Sequence, residues 1–394
     1  MQRTLLFVNI AHFLDHYFLL IFPTAVLAIH PAWDMSYGAA LALGTPGFVA
    51  FALCTPLAGW LGDRYGDKPL MSAFFIGIGL SSISAGFATG PVSLAVALTG
   101  IGAFASIYHP VGTAMVVRLA AKTGRALGVN GVYGNLGVAA AAGATGLLAG
   151  WFGWRAAFIV PGALTVLLGV AFAMTVVADT EASTGSGLRH VESSRPDLIR
   201  VLAVVFVAGL FGGIAFNGIT VALPKVFEER LAAEHLGVGM VGAYASLVFA
   251  LAAFTQIPVG RLIDRIGGKT IMIVLTGLQA VLFLALSRID GPVSILVAIP
   301  LMLAVFGEIP VTAWLIGHYV VPAWRSRVYS VQYLLTLGVS SAVVPLIAVL
   351  HERTGSSTAL LMVLAGSMAA VFVMSFLLPG GAPASVAEPQ PARQ

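Results

Sequence analysis

Two acids and three histidines fall where ionisable side chains are rare. Asp15, Glu308, His12, His16 and His109 lie inside long apolar runs, and no Lys or Arg joins them there. An acid in hydrocarbon costs about 2.5–3.5 kcal/mol on insertion scales, so such groups are functional candidates by default. At about 100° per residue, a helix places Asn9, His12, Asp15 and His16 within an arc of about 120°. They make one polar stripe on an otherwise apolar helix. Three chemistries fit it. Histidine titrates near neutrality, so Asp15 and a histidine can pass protons. Paired histidines four residues apart beside a carboxylate suit zinc, iron or copper, with His12, Asp15, His16 and His109 as the ligand set. The stripe can also be an internal network that only ties two helices together.

His109 precedes Pro110, and Glu308 stands two residues before Pro310. Proline removes a backbone donor and kinks a helix, which opens a pocket beside the neighbouring side chain. His109 is then a substrate or proton site, or a helix–helix hydrogen bond. Glu308 fits a proton or cation site. The amides Asn130, Asn135, Asn217 and Gln332, with Asn9 and Tyr108, are weaker candidates for the wall of a cavity, and interhelical packing explains amides equally well. His30, His190, His235 and His351 fall in loops as solvated groups. Trp33, Tyr37, Trp151, Trp154 and Trp324 sit near helix ends as interface anchors.

The elements that must hold these groups are membrane spans. Hydrophobic residues are 59% of the 394 and charged ones 9%, against about 25% charged in soluble domains. That excludes a soluble enzyme, a disordered chain and a nucleic-acid binder. One span needs about 20 apolar residues. Twelve are legible, at 4–29, 37–61, 70–89, 93–119, 126–151, 155–178, 198–224, 239–263, 270–288, 293–320, 326–350 and 358–379. The polar stretch 179–197 reads as a cytoplasmic linker, and 380–394, rich in Pro and Ala, as a disordered tail. The first run is too long for a cleavable signal. With both termini inside, inner loops carry 15 of the 20 Lys and Arg and outer loops 5. That satisfies the positive-inside rule and explains the net charge of +4 without an acidic partner. The single Cys54 excludes an intrachain disulfide.

The chain also repeats itself. GWLGDRYGDKPLM (59–71) and GRLIDRIGGKTIM (260–272), offset by 201, agree at seven of thirteen positions. The shared residues include Gly59/Gly260, Asp63/Asp264, Arg64/Arg265, Gly66/Gly267 and Lys68/Lys269. Pro23 and Pro224 keep the same offset. Two parallel six-span halves follow, 1–178 and 198–379, an arrangement that puts a substrate site at their interface. The polar stripe of the first half has no charged counterpart, because its partner positions hold Gly213, Phe216 and Asn217.

The doubled segment resembles the loop 2–3 and loop 8–9 signature of the major facilitator superfamily. Phe152-Gly153-Trp154-Arg155 resembles the entry to that superfamily's span 6. The resemblance covers 1–379. It implies an all-α membrane protein of twelve transmembrane helices in two six-helix parallel repeats, working by alternating access. The ten repeated Gly, Asp, Arg and Lys residues are then gating loops, whose aspartates take an arginine or helix N-terminus across the seam in the outward-open state. Asn9-Ile10-Ala11-His12, Tyr108-His109-Pro110, Gly124-Arg125 and Gly134-Asn135-Leu136-Gly137 are similar to the fosmidomycin-resistance type of exporter. One departure is the stretch Gly137-Val138-Ala139-Ala140, which lacks the Gly-Pro pair usual in span 5 of antiporters.

The expectation is a secondary transporter of the bacterial inner membrane, monomeric, moving a small solute, proton-coupled and leaning to efflux. A transition-metal transporter and a non-transporting sensor on the same fold are the alternatives. No Walker loop or nucleophile elbow occurs, so neither catalysis nor a cofactor is expected.

Overall fold

The computed structural model describes residues 2–119, 123–176 and 195–380. The expected linker (179–197) and tail (380–394) therefore lie almost wholly outside the described residues. Among these residues there is helix and no strand. Lipid offers the backbone no hydrogen bonds, so a spanning segment must satisfy its own amides as a helix.

Eleven described helices are long and apolar enough to cross a membrane, Gln2–Ala32, Tyr37–Tyr65, Asp67–Gly86, Pro91–Leu119, Ala126–Phe152, Trp154–Thr175, Asp197–Arg230, Val238–Ile263, Gly268–Leu286, Val293–Tyr319 and Thr358–Ser375, and the helix Pro322–Thr354, before the last of them, completes the twelve spans in chain order. They are numbered 1 to 12 below. The outer faces are apolar and open, as at Val92 and Met174, 79% and 80% exposed. These faces meet lipid rather than water. The buried polar residues Asp15, Asn130, Asn135, Gln279 and Glu308 lie inside.

The repeat is visible in the backbone. Gly66 joins spans 2 and 3 at φ 84°, ψ 167°, and Gly267 joins spans 8 and 9 at φ 86°, ψ 152°. That region is essentially closed to residues with a side chain, so both copies of the motif need glycine at the same turn. Arg155 is positioned by its Nη2 donating to the Ala88 carbonyl at 3.1 Å, at the end of span 3, and by its place over the Trp154 ring.

Two spans carry a π-helical turn, Tyr108–Gly112 in span 4 and Ala208–Gly212 in span 7. The turn of span 4 contains Pro110, which cannot donate and crowds the carbonyl four residues back. The expected kink is thus a widened turn. Pro310 has no such effect, because span 10 runs as unbroken α-helix through it.

Spans 1 and 5, and 3 and 6, pack together in the first half, spans 9 and 12 in the second, and spans 5 and 8 across the halves. The end away from the motif loops is closed. There Ser36 Oγ donates to Glu352 Oε1, and the Ala39 N–H reaches the same oxygen at 3.2 Å. His351 Nε2 lies 2.9 Å from Glu229, which also accepts the Ser357 N–H at 2.7 Å. The Tyr37 ring sits 4.8 Å from the His351 ring, with Lys225 Nζ on it. Two expectations change here. His351 is a paired group at a helix end rather than a solvated loop residue. Tyr37 is buried in the closure, 4% exposed, rather than anchored in lipid headgroups.

Candidate functional site

Span 1 brings its stripe against spans 4 and 5. The approach to span 5 depends on small residues: a Cβ on Gly137 would lie 2.1 Å from the Phe13 carbonyl, and one on Gly134 2.6 Å from Nε2 of His12. Gly134 and Gly137 of the exporter-like motif are therefore the seat of span 1. The π turn of span 4 delivers His109 to the same place.

The result is one cluster. Nε2 of His109 stands 3.2 Å from Oδ2 of Asp15, and Asp15 is fully buried. The contact has no hydrogen-bond alignment, since among the described residues neither carboxyl oxygen has a hydrogen-bond partner. The rings of His12 and His16 are 5.0 Å apart, and those of His12 and His109 5.7 Å. Nδ1 of His12 lies 2.8 Å from the Asn130 carbonyl. A carbonyl only accepts, so this nitrogen carries the proton, and in the neutral ring Nε2 has the free lone pair.

A buried network stands behind the histidines. Tyr108 OH donates to Asn130 Oδ1 at 2.9 Å, and Asn130 Nδ2 donates to Asn9 Oδ1 at 2.9 Å. The Tyr108 ring stacks on His12 at 4.7 Å. Tyr108 is fully buried, so it supports the cluster and does not line an open wall. Asn135 turns to the second half, with Nδ2 3.5 Å from the Ala253 carbonyl. Asn217 donates to its own helix at Gly213, and Gln332 packs beside Gly209.

Glu308 forms a separate centre in span 10. Its Oε2 accepts from Gln279 Nε2 at 2.8 Å, and both side chains are buried. A Cβ on Gly212, in the π turn of span 7, would lie 3.0 Å from Glu308 Oε1. Neither Glu308 nor Asp15 has a Lys or Arg partner among the described side chains. Gln279 and Gly212 were missed by sequence reasoning. The available signal for Gln279 was a lone amide in an apolar span.

The gating residues are divided. Gly59 and Gly260 are half-exposed near the ends of spans 2 and 8. Asp63 and Arg64 are exposed, and Arg64 lies over Trp60 and Tyr65. Lys68 is half-buried and Arg265 exposed. Lys269 Nζ donates to the carbonyls of Phe376 and Leu378, so it caps the end of span 12. The side chain of Asp264 lies outside the described residues, as does that of Arg125. Among the described residues, no ion pair or hydrogen bond joins the two motif loops.

The sequence matches the Major Facilitator Superfamily over residues 5–345. A chloramphenicol resistance protein of Streptomyces lividans is 28% identical over 283 residues, 67% of this chain and 69% of that protein. The multidrug resistance protein MdtG of Escherichia fergusonii is 26% identical over 251 residues, 62% of this chain and 61% of its own length. The match thus spans less than two thirds of that relative. Among solved structures, a D-xylose–proton symporter aligns at TM-score 0.77 with 14% identity, over 95% of this chain and 97% of the other. A bacterial homologue of the human lysosomal transporter Spinster, inward-facing and occupied, aligns at 0.74 with 15% identity, over 96% and 95%. At such identities the likeness concerns the fold alone. Twelve helices, the doubled motif and the match across most of the sequence agree: the chain belongs to the Major Facilitator Superfamily, a multi-pass, membrane-embedded transporter of small solutes and not an enzyme.

Proposed function

We propose that the chain is a proton-coupled exporter of small, drug-like or metabolite solutes, acting as a monomer in the bacterial inner membrane. The observation that carries the coupling is the fully buried Asp15 carboxyl, 3.2 Å from His109 and without a Lys or Arg partner among the described residues. A charge held so deep is functional by default, and a proton is the smallest cation that neutralises it. Glu308, bonded only to a neutral amide among the described residues, gives the second half its own proton site. His12 and His16 pass the proton between Asp15 and the open end.

Export is supported by the relatives named for chloramphenicol and multidrug resistance, and by the fosmidomycin-type motifs of spans 1, 4 and 5. The positive-inside count supports a cytoplasmic side for the motif loops and both termini. The molecule is then open inwards and sealed outwards, ready to receive solute from inside. The halves 1–178 and 198–379 are the moving bodies, joined by the linker 179–197.

Cells expressing the chain are expected to accumulate less labelled chloramphenicol or fosmidomycin than cells carrying the empty vector, and the difference should vanish when an uncoupler collapses the proton gradient. Equal accumulation with and without the chain, across a panel of such compounds, contradicts export.

A further inference from the structure

The cluster in spans 1 and 4 holds more donor atoms than proton passage needs. One ring nitrogen from each of His12, His16 and His109 lies within 4.8 Å of the others. The Nδ1–H of His12 is committed to the Asn130 carbonyl, which leaves the lone pair on Nε2, the nitrogen that lies against Gly134. Metal-binding histidines make this kind of outer contact, which fixes the ring and its tautomer. Asn130 is itself pinned by Tyr108 and Asn9. Independently of the rings, Asp15 is fully buried beside His109, and among the described residues neither of its oxygens has a hydrogen-bond partner. That is a carboxyl beside the cluster with only histidine in contact among the described residues.

We infer that His12, His16 and His109 form a binding site for one divalent transition-metal ion, with the Asp15 carboxyl beside His109 as its outer partner. Three imidazoles are a nitrogen donor set. It suits zinc, nickel or copper, whereas magnesium and calcium prefer all-oxygen sites. Metal–nitrogen bonds of about 2.0–2.1 Å require the rings to draw inward from their present spacing. His16 and His109 are only partly buried and have room to do so. Asp15 supplies one negative charge against the ion's two positive ones. A proton and a metal ion are then competing occupants, because one cation at a time answers the carboxylate.

The site shares residues with the coupling proposal, but its test needs neither a gradient nor a solute. The full chain, purified in detergent without a polyhistidine tag, is titrated calorimetrically with zinc alone. The expected result is one ion per chain, bound at least about tenfold more weakly in each of His12→Ala, His16→Ala and His109→Ala, with His351→Ala unchanged. Asp15→Asn should bind more weakly with the same stoichiometry. Because an alanine variant can lose stability, cobalt is used as a second probe on the wild type. The intense visible absorption of a four-coordinate cobalt site should appear and be displaced by zinc. No zinc binding by folded wild type, or binding that survives all three substitutions, overturns the site. Flux that ignores a proton gradient while zinc binding persists would sink the coupling proposal and leave this one standing.

Discussion

Gly137 packs against the Phe13 carbonyl so closely that any side chain must move a backbone rather than a flexible group. Overpacking of this kind costs about 1–3 kcal/mol. Gly137→Ala should therefore lower the melting temperature of the detergent-solubilised protein, and an unchanged melting temperature would show that span 1 can shift freely. The acids and histidines of this region were legible from sequence because each is conspicuous in an apolar run. The structure brings His12, His16 and His109 together, with Asp15 against His109 and Asn9 reached through Asn130. The partner of Glu308 was not legible. Gln279 looks like any amide that tethers two spans, and only the three-dimensional crossing of spans 9 and 10 brings it to the carboxylate.

Span 4 reaches the cluster through the π-helical turn that contains Pro110. Removing the proline restores a donor and lets the turn close to α geometry. A residue lost from the turn rotates one side of the helix by about 100°. Pro110→Ala should swing His109 away from Asp15 and depress transport while leaving the protein folded. The check is a structure of the variant together with its flux, and full activity with an unmoved His109 would contradict it. Here sequence reasoning was half right. Proline predicts a break, but the same residue at 310 leaves span 10 an unbroken α-helix. The outcome depends on what packs around the helix, which a single sequence does not display. The positions of the spans themselves were legible to within a few residues, since hydrocarbon thickness sets their length.

Seen as a whole, the molecule is sealed at one end by residues far apart in sequence, such as Ser36 and Glu352. The Glu352 carboxylate accepts from Ser36 Oγ and from the Ala39 N–H. A protonated carboxyl is a weaker acceptor, so these bonds hold the end closed best while Glu352 is ionised. Acid should therefore favour opening of this end, and Glu352→Gln should mimic it at neutral pH. Spin-label distances between cysteines placed at Asp34 and Arg353, in a Cys54→Ser background, report the opening; a distance distribution unaffected by both treatments would contradict the assignment. This closure was invisible in the sequence, where Tyr37 resembles an interface anchor and His351 a loop residue. The repeat, by contrast, was fully legible, because the same Gly-dependent turn is used at Gly66 and Gly267.

The central claim is that the buried carboxylate of span 1 couples solute movement to protons. The most direct measurement is solute flux into proteoliposomes under an imposed pH gradient, for the wild type and Asp15→Asn. The account predicts that wild-type flux rises with the gradient, and that Asp15→Asn, though folded, no longer responds to it. Wild-type flux indifferent to the gradient, or an Asp15→Asn protein that follows it like the wild type, would contradict the claim.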